Sequence, residues 1–176
     1  MKIRIESTWD GRPVGQSESV ELELQLGEKG LRIEVDAPFH NDPAPLAPPG
    51  PTPGLWEHEV VEFFISGPGD RYTEVELGPL GHHLLLLLDG PRNPIGQALP
   101  LDYECRVEGR RWYGLARLPW DLLPPGPHRI NACAIHGVGV SRRYLSWCRL
   151  PGSAPDFHQP GYFADWLDTS EGRQEA

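Results

Sequence analysis

The sequence predicts an all-β protein, an antiparallel β-sandwich or related barrel, on three observations. Val20, Leu22, Leu24 and Leu26 alternate with Glu21, Glu23 and Gln25, and Leu31, Ile33 and Val35 alternate with Arg32, Glu34 and Asp36, the period of half-exposed antiparallel strands. The stretch from Trp56 to Gly90 then reads as three strands in a row whose apolar runs are those of strands buried on both faces. Roughly ten such short segments, separated by turn residues and with almost no helical pattern, complete the argument.

In chain order, Lys2 to Glu6 is a short first strand, followed by the turn Trp9-Asp10-Gly11-Arg12-Pro13. Ser19 to Leu26 and the arm beginning at Leu31 form a hairpin across Gly27 to Gly30. From Ala37 to Gly54 the chain (APFHNDPAPLAPPGPTPG) is too rich in proline for regular structure and far longer than an ordinary connection. It is expected either to cover an exposed sheet edge or to serve a ligand site, with Phe39 and His40 as anchors. The meander follows as Glu59 to Ser66, Arg71 to Gly78 and His82 to Asp89. Tyr103 to Val107 and Trp112 to Leu118 make a second hairpin, and Trp120 to Leu123 allow one helical turn before Pro124. Arg129 to His136 and Tyr144 to Leu150 end the strand count, and Pro155 to Trp166 is the last ordered piece. A single domain over residues 1–167 is expected, with residues 168–176 as a disordered polar tail.

Composition narrows the function. A formal net charge of -9 and a pI near 5.2 disfavour nucleic acid and anionic membrane as partners, since both require a basic face. The N-terminal MKIRIESTWDG holds no continuous apolar stretch, so a cytoplasmic protein without a secretory signal or membrane anchor is expected. Cys105, Cys133 and Cys148 are odd in number and lack Cys-x-x-Cys spacing, which argues for reduced thiols rather than a disulfide framework or a cysteine zinc site. Abundant proline, few lysines and many arginines suit a thermophilic source.

Candidate chemistry centres on the acids inside the greasy meander. Glu59, Glu62, Glu74 and Glu76 must reach water, a partner or a ligand, because an unpaired buried carboxylate costs several kcal/mol. Glu74 and Glu76 share one face of their strand, with Cα atoms roughly 6.5 Å apart, and Tyr72 joins them. Whether Glu62 shares that face depends on the hairpin register, which the sequence leaves open. Such acids serve glycoside hydrolysis, a hard cation or sugar hydroxyls, and the same pattern also describes a solvated face. None of the seven histidines falls in a zinc motif. His83, His136 and His158 are candidates to converge with the glutamates, as is Arg92. Six tryptophans offer flat apolar platforms for a sugar ring; Trp56 and Trp147 suit that role, Trp112 and Trp120 the core. No nucleophile elbow, phosphate-binding glycine loop or activated cysteine is present.

The phrases TWDGRPVG, APFHNDPAP, LWEHEVVEFF, EVELGPLGHHLLLLLDGPRN, LPW, AIHG and PDFH, in this order from about Thr8 to Phe163, resemble a small family found from bacteria to vertebrates, whose human member is an open-reading-frame product of chromosome 4. More distantly, EVVEFFIS followed by YTEVELGPLG, Leu-Pro-Trp and a late Asp-Phe-His are similar to family 9 carbohydrate-binding modules and DOMON-like β-sandwiches, which bind sugars or haem. That resemblance implies a jelly-roll-like sandwich, with Trp56 as a sugar platform and Glu62, Glu74 and Glu76 as polar partners. Haem is disfavoured, because the only methionine is Met1 and any axial ligand would be histidine. No cofactor or metal is expected.

Three functions remain in view. The first is a non-catalytic module binding a small carbohydrate or polyol through Trp56, Glu62, Glu74, Glu76, His83, Arg92, His136 and His158. The second is a hydrolase with two of the three glutamates as acid and base. The third is a protein-interaction module using the Pro-rich loop at 37–54, which predicts no concave polar pocket.

Overall fold

The computed structural model describes residues 1–166; the polar tail expected over 168–176 lies outside them. Two sheets form the protein. The first has five strands, β1 (Lys2–Ile5), β2 (Val20–Gly27), β3 (Gly30–Pro38), β9 (Asp102–Glu108) and β10 (Arg111–Pro119), in the order β1-β2-β3-β10-β9. The second follows the path β12-β11-β5-β6-β7-β4, built from β12 (Arg143–Ser146), β11 (Arg129–His136), β5 (Val60–Ser66), β6 (Arg71–Leu77), β7 (His82–Asp89) and β4 (Gly50–Pro51). Short strands β8 (Pro94–Gly96) and β13 (Ala164–Asp165) pair with β7 and β11. Pairing is antiparallel, apart from the short parallel contact of β4 with β7. The expected all-β sandwich is therefore the observed architecture.

Residue parity explains the layers. Val20, Leu22 and Leu24 of β2, Leu31, Ile33 and Val35 of β3, and Trp112, Ala116 and Leu118 of β10 meet Val61, Phe63 and Ile65 of β5, Val75 and Leu77 of β6, Leu85 of β7 and Ile130, Ala132 and Ala134 of β11. The opposite residues of the second sheet, among them Val60, Phe64, Tyr72, Leu84, Leu86, Leu88, Cys133 and Ile135, form a second buried cluster. A central sheet with side chains buried on both faces gives the largely apolar β5 and the unbroken leucine run of β7. The site lies in that second layer.

The Pro-rich segment is an ordered edge cover. Phe39 N–H donates to Arg110 O at 2.9 Å, and His40 N–H donates to Glu59 Oε1 at 2.9 Å. His82 Nε2 lies 2.9 Å from Ala47 O, and Thr52 N–H donates to His83 O at 2.8 Å. The segment thereby shields the β7 edge from other strands. It also delivers Pro53 and Trp56 to the outer face of the second sheet.

Some expectations change. The strand expected over Tyr144 to Leu150 leaves the ladder after Ser146, because the buried Asn131 carbonyl Oδ1 accepts the Cys148 N–H at 2.9 Å. Trp112 is buried as expected, whereas Trp120 is 45% exposed and donates its ring N–H to Glu28 O at 3.1 Å. Trp147 packs against the interlayer core and takes no part in the second layer. All three cysteines are free. Among the described residues, no helix is long and apolar enough to cross a membrane.

Candidate functional site

A cavity of about 430 Å³ opens on the outer face of the second sheet, within the size range of small-molecule sites. Leu84, Leu86 and Leu88 of β7 and Ile135 of β11 form its apolar wall, with Trp56, Tyr144 and Phe157 around it. Glu62 and Glu74 line it directly. Glu76 stands directly across the strand pair from Glu62, and Glu74 two residues further along β6. The register thus settles the parity: all three carboxyls share one face.

These acids differ sharply from Glu59. Glu59 accepts backbone N–H groups from His40 and Asp42 at 2.9 and 3.3 Å. Glu74 is 3% and Glu76 0% exposed, yet Glu74 Oε2 and both Glu76 carboxyl oxygens have no hydrogen-bond partner among the described residues. Burial pushes the Glu62 carboxyl up to about 8, with the Arg142 guanidinium pulling the other way. Burial also raises Glu74 and Glu76 well above the usual carboxylate range, and the neighbouring glutamate charges raise them further. Unsatisfied buried acceptors are costly; Glu74 carries one at the cavity wall, and Glu76 carries two beside it.

The rest of the site is a fixed hydrogen-bonded frame. Tyr72 hydroxyl accepts the Arg92 N–H at 3.2 Å and lies 2.8 Å from His158 Nδ1. His158 is 3.9 Å from Glu74 Oε2, but burial and the Arg92 charge hold its pKa down to about 4, so the contact is not an ion pair at neutral pH. Arg92 Nη2 donates to Asp156 Oδ1 at 3.0 Å. Arg142 holds the Trp56 turn by donating to the carbonyls of Trp56 and Glu57, and its Nε donates to Tyr144 hydroxyl at 3.1 Å. Gly54, at φ 80°, starts that turn in a left-handed conformation that a side chain would strain. Trp56 is left 47% exposed at the cavity mouth.

No family model matches the chain. Its sequence relatives are informative, however. It is 45% identical over 175 residues to the UPF0462 protein C4orf33 homologue of Danio rerio, covering 94% of this chain and 88% of that one. The Homo sapiens UPF0462 protein C4orf33 is 44% identical over 172 residues, covering 93% and 86%. The chain belongs to the UPF0462 family. Among solved structures, this UPF0462 chain is similar to a candidate carbohydrate-binding protein of Bacteroides uniformis, with TM-score 0.75, 16% identity and coverage of 93% and 84%. It is also similar to a family 9 carbohydrate-binding module from Caldicellulosiruptor kristjanssonii in complex with cellotriose, with TM-score 0.58, 10% identity and coverage of 93% and 84%. The glucose complex of such a module gives TM-score 0.52 at 10% identity, covering 77% and 69%. At these identities the likeness defines a carbohydrate-binding-module-like sandwich fold.

Of the residues singled out from sequence, the UPF0462 structure brings Trp56, Glu62, Glu74, Arg92 and His158 to the cavity, with Glu76 beside them. His83 and His136 lie elsewhere. His83 shares the parity of Leu85, faces the interlayer space and meets Tyr103 edge-on at 5.8 Å. His136, also on the interlayer side, stacks on His40 at 3.7 Å and has Nε2 3.1 Å from Glu18 Oε1. Arg142, Tyr144, Gln97 and Asp156 were not singled out as site residues, and the frame around Trp56 depends on the first two. Among the described residues, no group of three or more His, Cys, Asp or Glu side chains is arranged to hold a metal ion. A larger hollow of about 650 Å³ lies on the outer face of the first sheet. Its charges pair with each other, as in Arg32–Glu34 at 3.1 Å and Arg111–Asp36 at 2.6 Å, so it is a solvated ladder of weak surface pairs.

The buried acids of this UPF0462 chain set its pH response. They keep their protons to higher pH folded than unfolded, so rising pH above 4.5 lets the unfolded chain ionise first and stability falls. His40, His136 and His158 are held below 6.5, so they cost stability as pH falls below that value and oppose the acids there. Between 6.5 and about 8 the carboxyls act alone. Stability measured by urea denaturation is expected to fall across that window, by up to about 1.4 kcal/mol per pH unit for each such carboxyl. Glu62→Gln should flatten the slope, and a stability that rises over the window would contradict the burial of these acids.

Proposed function

We propose that the protein binds a small carbohydrate or related polyol in this cavity, without catalysis. One observation carries the reading: an acceptor-rich acidic floor lies under an apolar wall, beside a half-exposed tryptophan. A sugar ring presents a C–H face to Trp56 and the leucine wall, and hydroxyl protons to Glu62, Glu74 and Glu76. Arg92, Gln97, Asp156 and His158 border the same space and supply further polar contacts. The glucose and cellotriose complexes of the structurally similar modules support this ligand class. A cytoplasmic location belongs to the same reading, supported by the three free thiols. The concave polar cavity counts against a pure interaction module built on the Pro-rich segment. Isothermal titration against mono- and oligosaccharides at millimolar concentration should give saturable heat; no heat with any of them sinks the proposal.

A second reading, hydrolysis of a glycosidic bond, is favoured by one specific feature. Glu62 and Glu76 face each other across β5 and β6 with raised pKa values, the state a general acid requires. Release of nitrophenol from aryl glycosides, lost in Glu62→Gln, would establish it.

A further inference from the structure

The cavity floor specifies its occupant more closely than a neutral sugar requires. Among the described residues, Glu74 Oε2 at the cavity wall and both oxygens of Glu76 beside it are buried without a partner, and a carboxyl that gives up its proton only accepts hydrogen bonds. A sugar hydroxyl brings one proton but also two lone pairs, and those need donors. A protonated amine brings three donors and no acceptor, the complement of three clustered carboxylates.

Resident positive charge is already engaged. Arg92 pairs with Asp156 at 3.0 Å. Arg142 donates to the carbonyls of Trp56, Glu57 and Gly137, and His158 Nδ1 pairs with the Tyr72 hydroxyl at 2.8 Å. The other titratable groups facing the floor, Tyr72 of β6, Cys133 of β11, Tyr144 of β12 and Asp156, bring no positive charge. The leucine wall and the Trp56 and Tyr144 rings suit the body of an organic cation, and aromatic faces attract cations.

We propose that the occupant carries a protonated amine on a compact ring, as an amino sugar does, with its nitrogen on Glu62, Glu74 and Glu76. The ring class rests on the carbohydrate reading above; the amine rests on the unpartnered carboxyls. Binding of the ammonium form converts one protonated carboxyl to a carboxylate, so each protonated amine taken up releases one proton to the buffer. A neutral sugar does not.

The test is isothermal titration near pH 7.5, in phosphate and in HEPES, whose nitrogens are tertiary, with D-glucosamine, D-glucose, N-acetyl-D-glucosamine and cyclohexylamine. Glucosamine should bind roughly tenfold tighter than glucose or N-acetylglucosamine, with an apparent heat that differs between buffers because protons are released. Glu76→Gln and Glu74→Gln, each shown folded by circular dichroism, should cut that preference to less than about threefold. Equal affinity for glucosamine and glucose overturns the amine and leaves the carbohydrate reading standing. Binding of cyclohexylamine without any sugar supports the amine and removes the carbohydrate. Silence from all four overturns both.

Discussion

Glu76→Met is expected to make the folded chain more stable and to abolish ligand binding. Glu76 is 0% exposed, both its carboxyl oxygens lack partners among the described residues, and it faces Glu62 directly across the sheet. Leaving a buried polar group unsatisfied costs about 1–3 kcal/mol, and replacing the Glu76 carboxyl by an apolar side chain of similar volume removes that cost. Methionine fits because it is unbranched and the adjoining face already carries Leu84 and Leu86. Urea denaturation at neutral pH measures the gain, and titration with saccharide measures the loss. A variant destabilised by more than about 1 kcal/mol would mean that the Glu76 carboxyl contributes to the fold. The expected combination marks a residue whose cost to stability is offset only when a ligand is present.

Trp56→Ala should leave stability nearly untouched while removing most of the affinity. The indole is 47% exposed, and the turn carrying it is held through backbone atoms, the Trp56 and Glu57 carbonyls bound by Arg142. Its truncation therefore breaks none of those bonds, and the change in stability should stay within about 0.5 kcal/mol. Aromatic anchors in binding sites are worth about 2 kcal/mol or more, a loss of roughly thirtyfold in dissociation constant. Denaturation and titration of the same preparation separate the two effects. Unchanged saccharide affinity in Trp56→Ala would place the ring outside the contact surface.

The fold was legible because period and parity are local. The alternation in Val20 to Leu26 and Leu31 to Asp36 named two of the first sheet's strands, and the mostly apolar Val60 to Ile65 with the unbroken Leu84 to Leu88 named a sheet covered on both sides. The acids were legible as a conflict between charge and a greasy surrounding, but their common face was not. That depends on a register, Glu62 opposite Glu76, which the Gly67–Asp70 turn does not determine. His83 and His136 lay beyond reach for the same reason, since a one-residue change of parity moves a side chain to the other layer. Arg142 and Tyr144 carried no signal at all: their roles come from β12 lying beside β11, a long-range pairing. Trp120 and Trp147 show the limit of composition, which counts rings without placing them.

The most direct test of the central claim is an amide-resolved NMR titration of the full chain with the saccharide that gives the strongest calorimetric signal. The predicted result is a set of shifted resonances confined to the Trp56 turn, Glu62, Glu74, Gln97 and the segment around His158, with the Trp56 indole N–H among them. Shifts on the outer face of the first sheet, around Arg32, Asp36 and Tyr113, or spread evenly over the molecule, would contradict it.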